Sequence, residues 1–220
     1  MSAASTSAPH SGLVIASLPV AAAIGIFGVV YGAAARPVLG ATTTLLSSLL
    51  VFSGAAQFTM VALLAAGEST AGVLVAVATL AVRHLPLGAM LRPRITSGRA
   101  RRAALSWFLI DETTGLALTL DERAERTLAI SGGLAYAAWT VGTAIGVAGG
   151  TLAAVEPLAA ALFPVLFVGL AALASSGRAD GVSAVVAGCV ALGLLIAWPA
   201  AGALGAIAVA IVVAAVASRR

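Results

Sequence analysis

The chain has 220 residues, of which 61% are apolar and only 9% are charged. A soluble domain carries about a quarter of its residues as charged side chains, so this composition excludes an ordinary soluble enzyme, a disordered chain and a nucleic-acid-binding protein. The net charge of +4 comes from 12 basic and 8 acidic residues. In so apolar a chain this excess is better explained by membrane topology than by a nucleic-acid partner.

Long stretches without charge predict membrane spans, because a helix that crosses the hydrocarbon core needs about 20 mostly apolar residues. We predict an all-α polytopic membrane protein, one transmembrane domain over residues 1–220, with about seven transmembrane helices and one re-entrant or broken segment. An inverted-repeat transporter fold contains such interrupted segments, although no repeat is visible in the residues themselves. The predicted spans are 13–35, 41–66, 70–91, 127–150, 158–175, 182–198 and 202–217, and the re-entrant segment is 104–120.

Arginine positions predict the orientation of these spans. Five of them crowd the loop after the third span, namely Arg92, Arg94, Arg99, Arg101 and Arg102. The positive-inside rule places this loop in the cytoplasm, and counting back through three spans places the amino terminus outside and Arg36 inside. If 104–120 crosses, Arg123 and Arg126 lie outside; if it enters and returns, they lie inside. We favour the second alternative because it leaves only Arg83 without a cytoplasmic position.

Gly54 and Gln57 lie in the middle of the second predicted span. A glycine with small neighbours and a buried amide fits a broken helix whose free backbone amides meet an anionic group of a substrate. The same residues fit close helix packing, with Gln57 hydrogen-bonded to a neighbouring helix.

Arg83 and His84 end the third predicted span, and Pro86 follows them. A charged arginine at a helix centre costs roughly 2.5–3.5 kcal/mol on the insertion scale. Pro86 has no N–H, so it leaves the carbonyl of Val82 without its helical donor. One interpretation is a broken helix that lines a cavity, where Arg83, with His84 beside it, binds a substrate carboxylate or a protein acid. The other is that Arg83 reaches the cytoplasmic interface from a helix end.

Asp111 and Glu112 lie in the middle of the segment 104–120. Within a membrane, two acids must face a cavity, pair with arginine or be protonated. A carboxyl group in such a place can load and release a proton near neutral pH, so both are candidates for coupling to a proton gradient. The alternative is a segment end at the interface, capped by Asp111, with both acids in water.

Small and aromatic residues add predictions about packing. Glycines four residues apart let helix backbones approach closely, and they occur at Gly28 and Gly32 and again at Gly142, Gly146 and Gly150. Tryptophans are typical of the aromatic belts at the membrane surfaces, which is where we expect Trp107, Trp139 and Trp198.

Several of these motifs, in their order along the chain, resemble the AzlC family. The resemblance covers residues 13–175, and the S-G-A-A-Q-F stretch together with the R-H and D-E pairs carries most of it. The matching motifs are Ile26-Phe27-Gly28, the stretch 51–58 (V-F-S-G-A-A-Q-F), Arg83-His84-Leu85, the stretch 108–113 (F-L-I-D-E-T) and the stretch 139–146 (W-T-V-G-T-A-I-G).

AzlC proteins are the large subunits of bacterial branched-chain amino-acid exporters. The resemblance therefore implies a multi-pass protein of the bacterial cytoplasmic (inner) membrane that exports leucine, isoleucine, valine or a related neutral amino acid. It also implies use of the proton gradient and a small AzlD-type membrane subunit as partner. We expect no cofactor, no metal, no nucleic-acid partner and no enzymatic activity. The alternatives are a non-transporting membrane scaffold subunit and an intramembrane enzyme that uses His84, Asp111 and Glu112 as acid–base or metal-binding groups.

Overall fold

A computed structural model describes residues 10–149 and seven further helical positions, 182, 185, 186, 189, 190, 193 and 197. The chain divides into two compact units, Met1–Phe167 and Val168–Arg220. The seven positions belong to the second unit, where all are exposed. The predicted spans 158–175 and 202–217, and the rest of 182–198, lie outside the described residues.

The described part of the first unit, residues 10–149, is helical and contains no strand. Three stretches in it are long and apolar enough to cross a membrane: Gly12–Leu39, Thr70–Arg94 and Ala124–Gly149. The helices, in chain order, are α1 (His10–Leu39), α2 (Ala41–Leu50), α3 (Gly54–Ala65), α4 (Thr70–Ala81), α5 (His84–Leu91), α6 (Arg99–Ser106), α7 (Asp111–Thr119) and α8 (Ala124–Gly149).

Helices α1 and α8 pack against each other through glycines and run in the same direction. A Cβ atom built on Gly28 would meet the backbone of Trp139 and Thr143, whereas one built on Gly32, a turn further on, would meet the backbone of Thr143 and Val147. Because the contacts advance together along both helices, the helices are parallel. The predicted close approach is confirmed at four glycines, whose added Cβ would lie within 2.5 Å of a backbone oxygen: Gly28, Gly32, Gly142 and Gly146.

The two ends of α8 contact different parts of the chain. At its carboxyl end, the carbonyl of Val147 accepts a 2.8 Å hydrogen bond from Nη1 of Arg36. At its amino end, the carboxylate of Glu125 accepts hydrogen bonds of 2.7 and 2.8 Å from the backbone amides of Thr96 and Ser97. These ends are about 39 Å apart at 1.5 Å per residue. We call them the Arg36 end and the arginine end; the second holds the arginine-rich loop and the two arginines, Arg123 and Arg126, that flank the start of α8.

This geometry corrects the predicted orientation. Arg36 and the arginine-rich loop lie at opposite ends of α8, so they cannot share one side of a membrane that α8 crosses. Because α1 is parallel to α8, the start of α1 lies at the arginine end, on the same side as the loop. The prediction was wrong because it counted residues 41–66 as a full crossing.

Helices α4 and α5 form a single interrupted span, Thr70–Arg94. At the interruption, Val82 and Arg83 keep right-handed helical dihedral angles, so the chain does not reverse. Leu91 packs in one buried cluster with Leu128, near the amino end of α8. The span is about 37 Å long at 1.5 Å per residue, and it therefore runs from the Arg36 end to the arginine end.

The interruption itself differs from the prediction in one detail. We expected Pro86 to leave the carbonyl of Val82 without a donor, but this carbonyl accepts a 3.0 Å hydrogen bond from the amide of Leu85. The backbone tightens to three residues per turn at this point, and this tightening replaces the bond that proline cannot make.

Helices α2 and α3 form a hairpin where one crossing, 41–66, was predicted. The backbone is extended at Val51 and Ser53, and α3 turns back so that Nε2 of Gln57 donates to the hydroxyl oxygens of Ser47 and Ser48, at 3.4 and 3.3 Å. Both α2 and α4 begin at the Arg36 end, so the segment enters there and returns there. With 10 and 12 residues, neither helix reaches the length that a crossing needs.

Helices α6 and α7 form a hairpin, so the segment 104–120 enters and returns, as the favoured alternative of the sequence analysis predicted. Leu105 on α6 and Ala117 on α7 pack in one cluster with Leu128 near the arginine end. Between them, Phe108 lies against Gly132, further along α8; a Cβ atom on Gly132 would overlap its side chain. The segment therefore enters from the arginine end and returns to it.

The tips of the two hairpins meet at Tyr136, in the middle of α8. The ring of Tyr136 makes edge contacts with Phe52 at 5.4 Å and with Phe108 at 6.5 Å between centroids, and its hydroxyl donates a 2.9 Å hydrogen bond to the carbonyl of Leu49. Two half-length hairpins therefore enter from opposite ends of α8 and meet midway along it.

Trp139 belongs to the core and not to an aromatic belt. Its side chain is 3% exposed, stacks on Tyr31 with 5.5 Å between ring centroids and meets the edge of Phe58 at 6.3 Å. Trp139 is buried because it lies on the face of α8 that packs against α1, and hydropathy alone could not predict this. Trp107 is exposed, as a belt residue would be, and Trp198 lies outside the described residues.

Candidate functional site

Three interruptions of helical structure meet midway along the bundle, at the side chain of Arg83. Its Nη1 lies 2.8 Å from Oδ2 of Asp111, the first residue of α7. Its Nη2 donates a 3.4 Å hydrogen bond to Oγ of Ser53, which precedes α3. We call Ser53, Arg83 and Asp111 the helix-break junction.

Local sequence positions each member of the junction. Arg83 lies in the tightened turn that Pro86 imposes. Asp111 begins a helix because Oγ1 of Thr113 accepts a 3.2 Å hydrogen bond from the amide of Ile110, which satisfies a donor at the start of α7. Ser53 is held in extended conformation before Gly54.

The junction is partly open. The side chains of Arg83 and Asp111 are 27% and 30% exposed, so the ion pair can be reached from outside the protein interior. Within Arg83, however, Nε is buried and has no hydrogen-bond partner among the described residues. A buried guanidinium N–H without an acceptor is unusual, so this donor is left unsatisfied among the described residues.

A buried polar network lies beside the junction and joins four helices. Its members are Tyr31, Ser47, Ser48, Gln57 and Thr143, and Gln57 and Thr143 are 1% and 0% exposed. The hydroxyls of Tyr31 and Ser47 are 2.6 Å apart, and those of Ser48 and Thr143 are 2.9 Å apart. The network therefore ties α2 to α1 and to α8.

Each hydroxyl in this network can be assigned the acceptor to which it donates its proton. Thr143 donates to the carbonyl of Trp139 and Ser47 donates to that of Thr44, so Ser48 must donate to Thr143, and Tyr31 to Ser47. Gln57 donates through Nε2 to both serines. Its buried Oε1 is left as an acceptor with no donor among the described residues, and the buried indole N–H of Trp139 likewise has no acceptor.

The other predicted site residues lie around these groups in different ways. Gly54 packs under Trp139, where an added Cβ would come 3.3 Å from the indole ring. Glu112 follows Asp111 and is half-buried, with no ion pair within 4 Å in the described part of the chain. His84 is not brought to the junction partners: its Nδ1 donates to the carbonyl of Ala81, the last residue of α4, at 3.0 Å.

The sequence analysis missed the serines and threonines of the polar network. A signal was present, because Thr44, Ser47 and Ser48 recur at helical spacing inside an apolar stretch, which indicates a polar face turned toward protein. Ser53 enters the sequence analysis only within the matching stretch 51–58. Among the described residues there is no group of three or more His, Cys, Asp or Glu side chains that could hold a metal ion.

This geometry defines a class: a helical membrane protein with interrupted helices and a charged junction at mid-depth. The comparisons with known proteins name the family. The model of the AzlC protein family matches residues 19–153, which is more than half of the chain, so the chain belongs to the AzlC family. This is a transporter-type family associated with branched-chain amino-acid transport. No curated protein and no solved structure matches the chain.

Proposed function

We propose that this protein exports branched-chain or related small neutral amino acids across the bacterial cytoplasmic (inner) membrane. In this proposal it is a multi-pass secondary transporter, driven by the proton gradient, that works with a small AzlD-type membrane subunit. Membership of the AzlC family supports the substrate class. The observation that carries the proposal is Arg83, held midway along the helices between Asp111 and Ser53.

The junction and the polar network supply complementary groups for a zwitterion. A substrate carboxylate would be drawn to Arg83 or to the free amides that open α3 at Gly54. An ammonium group would be drawn to the unpartnered Oε1 of Gln57 or to Asp111 and Glu112. An apolar wall around an aliphatic side chain distinguishes substrates by only ~1–3 kcal/mol per methylene, so we expect several neutral amino acids to be exported.

The two acids differ in how they could couple transport to protons. Asp111 forms an ion pair with Arg83, with 2.8 Å between Oδ2 and Nη1. Glu112 has no such ion pair in the described residues. Both remain candidates for proton coupling, and the pairing of Asp111 makes Glu112 the better carrier.

The distribution of arginines supports an orientation. Among the described residues, seven arginines lie at the arginine end, whereas Arg36 lies at the other end of α8. By the positive-inside rule, we place the arginine end in the cytoplasm. The hairpin α6–α7 then enters from the cytoplasm, and the hairpin α2–α3 enters from outside. The seven are Arg92, Arg94, Arg99, Arg101, Arg102, Arg123 and Arg126.

Efflux of radiolabelled leucine and isoleucine tests the proposal directly. Cells that make the protein together with an AzlD-type subunit should lose label faster than cells with neither. We expect Arg83→Ala to reduce efflux at least about tenfold, a loss typical of a charged group that contacts substrate, while the protein still accumulates in the membrane. Arg99→Ala, at an exposed position of the arginine end, is the matched control and should export normally.

Two results would contradict the proposal. Efflux equal to that of empty cells would remove the transport assignment. Full efflux from Arg83→Ala would mean that the junction is not the transport site. A scaffold subunit predicts a third pattern, in which the wild type exports nothing and Arg83→Ala affects only accumulation.

A further inference from the structure

Asp111 occupies one side of the Arg83 guanidinium, and the other edge, which we call the free edge, lacks a strong acceptor among the described residues. A guanidinium carries five N–H donors in a fixed plane, and the Nε and Nη2 donors on one edge can bind both oxygens of a carboxylate. Asp111 contacts Nη1, at 2.8 Å. The Nη2 group makes only a long 3.4 Å hydrogen bond to Ser53, and Nε is buried with no partner among the described residues.

We propose that this free edge, Nε with Nη2, binds the α-carboxylate of the transported amino acid while Asp111 stays on Nη1. The inference rests on the proposed function and makes it more specific, because it assigns the carboxylate to Arg83 and not to the amides of α3. Two parallel N–H···O bonds on a planar cation are short and directional. The carboxylate also supplies the acceptor that the buried Nε lacks, and a buried donor without an acceptor is costly in free energy.

Charge balance then selects the substrate class. With Asp111 in place, the positive charge of Arg83 is already neutralised, so the pair carries no net charge. A zwitterion adds no net charge because its own two charges cancel, and its ammonium would face the acids Asp111 and Glu112 while its carboxylate meets Arg83. An acidic amino acid would bring an unmatched negative charge close to two carboxylates, and an amino-acid amide would lack the acceptor for the edge. The junction therefore favours neutral amino acids with a free carboxylate.

The variant Arg83→Lys distinguishes this arrangement from one in which the substrate carboxylate displaces Asp111 from the cation. If the substrate displaced Asp111 from a point charge, lysine would serve almost as well as arginine. If the substrate needs the edge, lysine keeps the ion pair with Asp111 but offers no pair of parallel donors. Arg83→Lys should therefore leave the protein folded and weaken carboxylate binding.

The test uses the purified full chain in detergent and follows its melting temperature with added L-leucine or L-leucinamide. We expect leucine, and not leucinamide, to raise the melting temperature of the wild type. Arg83→Lys should weaken the apparent affinity for leucine by about tenfold or more, the loss expected for one strong hydrogen bond to a charged group. Arg99→Lys, the same change at an exposed position, should bind leucine as the wild type does.

The outcomes keep this inference separate from the transport proposal. Equal stabilisation by leucinamide, or unchanged leucine binding by Arg83→Lys in a protein that exports leucine, would overturn the edge assignment and leave transport intact. No binding and no export of leucine, isoleucine or valine by the wild type would remove the proposed function itself. If Arg83→Lys does not fold, the comparison of leucine with leucinamide on the wild type decides the question.

Discussion

Two regions of the first unit differ in how they use small and polar residues. Along the contact with α1, glycines bring two backbones so close that no side chain fits between them. Around the helix-break junction, buried polar atoms have no partner among the described residues, and the ion pair is about one-third exposed. One region leaves no room for a ligand, and the other leaves donors and acceptors that a ligand could satisfy.

The difference shows how a membrane protein can hold a charged group at mid-depth. The parallel pair α1 and α8 supplies a rigid wall, because close backbone contact is a main source of helix association in lipid. The two hairpins are short and rest their tips against this wall at Tyr136. Stability should therefore depend most on the glycine contact and least on the junction, whereas transport should show the reverse order.

The strongest test of this contrast is Gly142→Ala. The added methyl group would overlap the backbone of Gly25, so the helices must separate. We expect a loss of about 3 kcal/mol, or roughly 6–12 °C in melting temperature for a chain of this size. The matched control is Gly133→Ala on the same helix, where an added Cβ meets nothing within 4 Å. Equal melting temperatures for the two variants would show that the glycine contact does not hold the wall.

A smaller effect is expected at the base of the hairpin α6–α7. Glu125 is 4% exposed and accepts hydrogen bonds from the amides of Thr96 and Ser97. Glu125→Ala leaves both amides without an acceptor, and we expect a loss of about 2 kcal/mol in unfolding free energy. Exposed Asp121→Ala is the control. If Glu125→Ala melts with the wild type, the loop is held by other contacts and the hairpin base is not anchored here.

The smallest of the three effects concerns the polar network. Thr143→Val keeps the shape of the side chain but removes the acceptor for Ser48, so we expect a loss of about 1 kcal/mol. Thr140→Val is matched, because Thr140 donates only to the carbonyl of Tyr136 on its own helix. A larger loss for Thr140→Val, measured by thermal unfolding in detergent, would mean that the inter-helix bond contributes nothing.

The sequence predicted the composition of the site better than its arrangement. Arg83, Asp111 and the interruption before Gly54 stand out because charge and broken helices are costly in hydrocarbon. Their meeting at one point could not be predicted, because they lie on separate segments whose directions were not known. The network of Ser48 and Thr143 was missed for the same reason, since each hydroxyl finds its partner on another helix.

By itself, the sequence determined that this is a helical membrane protein, and it indicated candidate positions for helix breaks and for close glycine contacts. These properties follow from local apolar length, residue type and spacing, which act in the same way wherever a segment lies. Only the tertiary structure decided that 41–66 returns to the end it enters, that Arg36 lies opposite the arginine-rich loop, and that Trp139 is core. Each depends on which protein surface shields the polar backbone of a segment from lipid, and that surface is supplied by residues distant in the chain.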